Sequence, residues 1–157
     1  MEPRMNPFAS PVASSFVRRL GAAGKVVTDS SVPVLTQELV KIRASQINGC
    51  GFCADMHTKE AVAAGESHAR LHLVATWREA TVFTEAERAA LALAEEGTRI
   101  ADAAGGVPDE VWADAAKHFD EEQLAALVSL IALINAYNRL NVMVRMPAGD
   151  YQVGQFG

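Results

Sequence analysis

The chain has 157 residues, half of them hydrophobic and 21% charged, which fits one ordinary domain with a real core and excludes a disordered segment. Its 19 acidic side chains outnumber its 14 basic ones, for a net charge of −5, so no nucleic-acid partner is expected, because phosphate binding needs a basic patch. The only two cysteines, Cys50 and Cys53, stand three positions apart, which excludes the cysteine-dense scaffold of a small secreted domain.

The whole chain, 1–157, reads as a single domain whose residues 1–11 form an extended N-terminal arm. Arg18 and Arg19 fall where the apolar core of a secretory signal would have to be, so no such signal is expected. Val12 to Ala23 is predicted to be helical, ending near Gly24, and residues 26–34 to be irregular around Ser30, Ser31 and Pro33. Leu35, Leu39, Ile42 and Gln46 share one face of the next helix, which stops at Asn48-Gly49. A helix then starts at Cys50 and ends at Gly65, a glycine cap. Ser67 is expected to cap a helix through Leu71, Val74 and Trp77.

Thr84-Glu85-Ala86-Glu87 has the spacing of a capping box and opens an Ala- and Leu-rich helix predicted to reach about Ala104. Gly105-Gly106 ends it, and Pro108 suits the first turn of a helix through Val111 and Trp112 to about His118. Asp120-Glu121-Glu122-Gln123 resembles another capped start, with acids at the positive end of the dipole. That last helix is predicted to run to Val144, before Pro147. Its most apolar stretch, Leu124 to Ile134, falls short of the roughly 20 residues of a membrane span; being apolar on most sides, it is expected to be buried in the core or between subunits. No stretch alternates with β-branched enrichment, so an all-α fold is predicted, in a cytoplasmic homo-oligomer without a membrane partner.

Cys50, Cys53 and His57 lie at i, i+3 and i+7, a spacing that keeps them within roughly 60° of one another on a helix. If Cys50 marks the helix start, both thiols sit where unpaired N–H groups and the helix dipole favour anions. The thiolate, favoured there, is the nucleophilic form, and a neighbouring thiol can resolve a sulfenic acid. His57, one turn further on, could exchange a proton with Cys53. Glu38, at the edge of the apolar stripe on the preceding helix, would be half-buried if the two helices pack as a hairpin, and could orient His57 or take its proton.

Two other readings stay open at this level. A disulfide closing so small a loop would hardly constrain the unfolded chain, so redox chemistry competes with metal binding and with coincidence. Cys50, Cys53, His57 and Glu38 could complete a zinc tetrahedron, and His68 and His72, at i and i+4, could hold a metal of their own. Alternatively the chain is a helical assembly protein whose cysteines are dispensable. Trp77, Trp112, Tyr137 and Arg139 are equally suited to a pocket wall, to packing or to ion pairs.

The stretch from Glu38 to Lys59, with Asn48-Gly49-Cys50-Gly51-Phe52-Cys53 and His57 inside it, resembles the core motif of the AhpD-like alkylhydroperoxidases in the carboxymuconolactone decarboxylase superfamily. That pattern is a glutamate twelve residues before a CxxC and a histidine four beyond its second cysteine, and the spacing here agrees. Phe83-Thr84-Glu85-Ala86-Glu87-Arg88-Ala89-Ala90-Leu91 and Ile134-Asn135-Ala136-Tyr137-Asn138-Arg139 resemble the peroxidase-related branch, so the likeness covers residues 15 to 145. It implies an AhpD-like helical bundle assembled as a dimer, trimer or hexamer, with no bound cofactor. It further implies a thiol-dependent peroxidase or disulfide reductase: Cys53 attacks a hydroperoxide, Cys50 resolves it as a disulfide, Glu38 and His57 relay protons, and an external dithiol regenerates the pair. The best-studied members carry a histidine directly before the second cysteine, where this chain has Phe52, so one relay position is lost. The decarboxylase branch lacks the CxxC, and lactone decarboxylation is not expected.

Overall fold

A computed structural model describes residues 2–6 and 9–156. The helices are α1 (Pro11–Thr28), α2 (Val34–Ile47), α3 (Gly51–Ala63), α4 (His68–Leu73), α5 (Glu85–Thr98), α6 (Asp109–His118) and α7 (Glu121–Val144), with a 3-10 turn at Val74–Thr76. Among the described residues there is no strand, and the all-α expectation holds.

Side-chain caps set most of the starts. At α5 the Thr84 hydroxyl accepts from Glu87 N (3.2 Å) and the Glu87 carboxylate accepts from Thr84 N (2.7 Å); at α7 Asp120 and Gln123 do the same. Each box satisfies backbone donors that a helix start leaves orphaned. Ser10 and Ser67 cap α1 and α4. At the other end of α7, Arg145 takes the left-handed conformation (φ 56°).

Three boundaries differ from expectation. α1 continues through Gly24 to Thr28, because that glycine is where α1 meets α7: a Cβ on it would lie 3.3 Å from Leu133. Close packing there outweighs the roughly 1 kcal/mol that glycine costs a helix. The helix after Ser67 stops at Leu73 and tightens into the 3-10 turn. α5 ends at Thr98, since its buried side ends there and residues 101, 102, 104 and 105 are exposed; alanine propensity alone does not carry a helix beyond its packing. Of the expected N-terminal arm, residues 2–6, 9 and 10 are not helical while Pro11 already opens α1, and Arg4 ties the arm to the end of α7 by donating its N–H to Val144 O (2.8 Å).

α2 occupies the centre, against α3, α5 and α7. It is buried on most sides, with Thr36 to Val40, Ile42, Ala44 and Ser45 all inside. The single apolar stripe expected for it is therefore too narrow, and Gln46, assigned to that stripe, is exposed. One core cluster joins Val40 to Leu93, Leu127, Leu130 and Ile131; a second joins Leu39 and Ile42 to Leu71, Val74, Trp77, Phe83 and Leu91. By length and composition α7 is long and apolar enough to cross a membrane. In the fold it packs along α1, α2 and α5 and carries Asn135 and Asn138 on its buried side.

Those asparagines anchor the turn that bears the cysteines. The Asn48 amide donates to Asn135 Oδ1 and Asn138 Oδ1, each at 2.9 Å, while Asn138 donates to Ser45 Oγ (3.1 Å) and Asn135 to Thr98 Oγ1 (3.1 Å). Leaving one such buried group unpaired costs about 1–3 kcal/mol, so the network fixes the α2–α3 turn against α7. Glu95 plays a comparable part nearby, accepting from Arg43 Nε (2.6 Å), Trp77 Nε1 (3.1 Å) and Arg78. Burial raises its carboxyl, but the Arg78, Trp77 and Arg43 hydrogen bonds prevail and hold it below the usual range.

Candidate active site

α2 and α3 form a hairpin across Asn48-Gly49. Gly49 takes φ +66° there, a left-handed turn that favours glycine. The reversal puts Cys50 at the N-cap of α3, one residue before the helical run expected to start at it, with its Sγ accepting from Cys53 N (3.3 Å). Cys50 and Cys53 are joined as a disulfide, their Cα atoms 5.4 Å apart. Each is only 2% exposed, in a small apolar cluster with Ala44 and Ile134 against which Phe52 packs.

Glu38 faces α3 from α2, more deeply buried than the half-burial expected of it. Its Oε2 lies 2.9 Å from His57 Nδ1, and its Oε1 accepts from Lys41 Nζ at 2.7 Å. Burial pushes the carboxyl up, but the His57 hydrogen bond and charge, followed by Lys41, outweigh that and hold it below its ordinary value. An ionised carboxylate only accepts, so Nδ1 of His57 carries the hydrogen and Nε2 is left as the atom able to exchange a proton. Lys41 was not anticipated, although its i,i+3 spacing from Glu38 is a helix-pair signal that could have found it.

Cys53 and His57 both open on one cavity of about 730 Å³. Its walls are mainly apolar: Leu130, Leu133, Ile134, Tyr137 and Leu140 from α7, Val17, Gly21 and Gly24 from α1, and Met56 from α3. Asn141 of α7 lines it too and donates to Cys53 Sγ (3.3 Å). Cys50 does not line the cavity. Glu38 stands behind His57, so all four predicted residues are brought together, in a layer running from carboxylate to imidazole to cavity to sulfur. Asn141 escaped sequence reasoning because no local pattern links it to residue 53.

The aromatic candidates separate. Tyr137 lines the cavity, and its burial raises its phenol above the ordinary value. Trp77 is core, Trp112 is 45% exposed, and Arg139 donates to Asn135 O and Oδ1 at 3.2 Å each. Phe52, at the position where a relay histidine would stand, packs edge-on against Tyr151 and Phe156 of the C-terminal segment, with ring centroids 6.3 and 6.2 Å away. Among the described residues no group of three or more His, Cys, Asp or Glu side chains is arranged to hold a metal ion, and His68 and His72 are exposed.

The model of the carboxymuconolactone decarboxylase family matches residues 14–96. The uncharacterized protein YdfG of Bacillus subtilis is 42% identical over 118 residues, 75% of this chain and 79% of its own. A protein of unknown function from Agrobacterium tumefaciens, put forward as an antioxidant-defence protein AhpD, has a crystal structure that superposes with a TM-score of 0.88 at 35% identity, over 96% of this chain and all of that one. The debrominase Bmp8 shares the fold at 19% identity, with a TM-score of 0.75 over 87% of this chain and 73% of its own. The chain therefore belongs to the carboxymuconolactone decarboxylase family, among its AhpD-like members.

Proposed function

We propose that this chain is a thiol peroxidase that reduces organic hydroperoxides through Cys50 and Cys53. The observation that carries the reading is the shared cavity: it presents Cys53 and His57 to one bound molecule, with Glu38 hydrogen-bonded behind the imidazole. In the reduced protein, the Cys53 thiol gives its proton to His57 Nε2. The thiolate is favoured by the start of α3 and by the Asn141 amide. It attacks the terminal oxygen of the hydroperoxide, forming S–O as O–O breaks. The imidazolium returns its proton to the departing alkoxide, which leaves as alcohol. Cys50 then gives its proton to His57, and its sulfur displaces hydroxide from the Cys53 sulfenic acid; that hydroxide takes the proton and leaves as water. An external dithiol reduces the resulting disulfide and is itself oxidised to a disulfide.

Glu38 keeps Nδ1 protonated and stabilises the imidazolium at each transfer, a role worth roughly 10²–10⁴-fold when proton transfer is part of the barrier. The test is consumption of cumene hydroperoxide with excess dithiothreitol. The wild type should turn over repeatedly, one dithiol per peroxide. A Cys50→Ser chain, reduced, freed of dithiothreitol and then given the hydroperoxide, should stop after one equivalent, with Cys53 held as a sulfenic acid that dimedone traps. Consumption no faster than in buffer would end the reading.

The alternative in which the cysteines hold zinc has less support, because the sulfurs are bonded to each other and Glu38, which would be the fourth ligand, is engaged by His57 and Lys41. We also propose a cytoplasmic homo-oligomer. Val128, Val142 and Met143 of α7 are 45%, 45% and 60% exposed, large apolar side chains of the kind that subunit interfaces cover. Sedimentation at a multiple of the monomer mass is expected, and a monomer would contradict it.

A further inference from the structure

The segment after α7 is held against α3 by a dense set of bonds. Asp55 Oδ2 accepts from Gly149 N (2.9 Å) and Tyr151 N (3.4 Å), and Lys59 Nζ donates to Gly149 O and Tyr151 O, both at 2.9 Å. Glu60 accepts from the Tyr151 hydroxyl and from Gly154 N (2.9 Å). Burial and the neighbouring Glu60 push the Tyr151 phenol up to about 12, so it stays protonated and able to donate. Asp55, Lys59 and Glu60, from two successive turns of α3, are thus all committed to one strap.

The strap reaches the sulfurs. Met146 and Phe156 line the same cavity as Cys53. Phe52, Tyr151 and Phe156 form a three-ring cluster in which Tyr151 and Phe156 stack with centroids 6.0 Å apart. Gly51, between the cysteine at the N-cap and Phe52, has Ala148 3.3 Å from where its Cβ would be. The family match ends at residue 96, so Met146, Ala148, Tyr151 and Phe156 lie beyond the matched residues.

We infer that the C-terminal strap, residues 146–156, is the specificity element of the site, with Phe52 as its anchor: it completes an aromatic wall beside Cys53 and selects hydroperoxides with a bulky, ring-bearing apolar body over hydrogen peroxide. The inference rests on the peroxidase reading for its substrate. About 730 Å³ is the size of pocket that holds a drug-sized molecule and far exceeds the roughly 30 Å³ share of one water. A small polar peroxide would leave that volume unfilled and gain nothing from the rings. An aryl group can stack or pack edge-on against them. Phe52 takes the place of a relay histidine and supplies this wall instead.

The experiment compares cumene hydroperoxide with hydrogen peroxide on wild type, Phe156→Ala and Phe52→Leu. For wild type the ratio of kcat/KM values should favour the aryl substrate. In each variant that ratio should fall by about tenfold, the scale of lost apolar pocket contacts, through a higher KM for the aryl substrate with kcat little changed. Loss of both activities in parallel would mean a merely structural role and overturn the inference. Should no hydroperoxide be consumed by any chain, the peroxidase reading fails by itself. The wall is then judged by alkylation of reduced Cys53, where wild type should prefer N-phenylmaleimide to iodoacetate more strongly than Phe156→Ala does. An equal preference in the two chains would overturn the inference.

Discussion

Cys53→Ser is expected to lower hydroperoxide turnover by at least about a thousandfold, since removing a nucleophile removes the step that the other residues serve. A serine hydroxyl cannot take the oxygen, and it leaves Cys50 with nothing to resolve. Cys53 rather than Cys50 is assigned the attack because it lines the cavity and receives the Asn141 hydrogen bond. Cys50 faces inward, its sulfur accepting the N–H of Cys53. The two substitutions should therefore differ in kind: Cys50→Ser keeps the first turnover and loses the later ones, whereas Cys53→Ser loses all of them. A stopped-flow trace separates the two. Equal single-turnover rates in wild type and Cys53→Ser would remove Cys53 from the chemistry.

Glu38→Ala should damage both stability and catalysis. The Glu38 side chain is 9% exposed and those of its partners Lys41 and His57 are 15% and 12%; truncating it leaves a nearly buried lysine uncompensated, at a cost of about 3 kcal/mol. Turnover should fall about a hundredfold as His57 loses its orientation and its counter-charge. The pH dependence gives a second reading. Glu38 is held below its ordinary value in the folded chain, so its contribution to stability is complete above the carboxyl's unfolded value. It is lost as the pH falls through the lowered folded one. Urea titrations should accordingly show wild type and Glu38→Ala furthest apart near neutrality and converging in acid. Glu38→Gln, which keeps shape without charge, should recover part of the stability and little of the turnover.

Much of the site was legible in the sequence because its parts are local. Cys50 caps the helix that carries Cys53 and His57, and Glu38 lies on the helix before it, so periodicity and a tight turn suffice to bring them together. The capping boxes at Thr84 and Asp120 were legible for the same reason: their partners are three residues away. What escaped depends on distant packing. Asn141 meets Cys53, Asn48 meets Asn135 and Asn138, and the strap meets α3, all across 87 to 96 positions. No propensity encodes those pairings, although two buried asparagines three positions apart on an otherwise apolar helix are a signal of a polar network. The extent of α1 was missed because Gly24 reads locally as a stop, and only its approach to Leu133 makes it a packing residue.

Phe52 shows how a departure from a motif acquires a physical reason. Read as a lost relay position it weakens the site; seen between Tyr151 and Phe156 it is a hydrophobic anchor. The proposed mechanism accordingly routes its protons through the Glu38–His57 pair.

The most direct measurement is a rapid-quench single turnover of the fully reduced protein with one equivalent of cumene hydroperoxide, followed by mass spectrometry of the cysteine peptide and quantitation of the alcohol. The account predicts one alcohol released per disulfide formed between Cys50 and Cys53, at a rate that falls on removal of either Glu38 or His57. Both thiols recovered intact, or a disulfide forming just as fast in the absence of those two side chains, would contradict it.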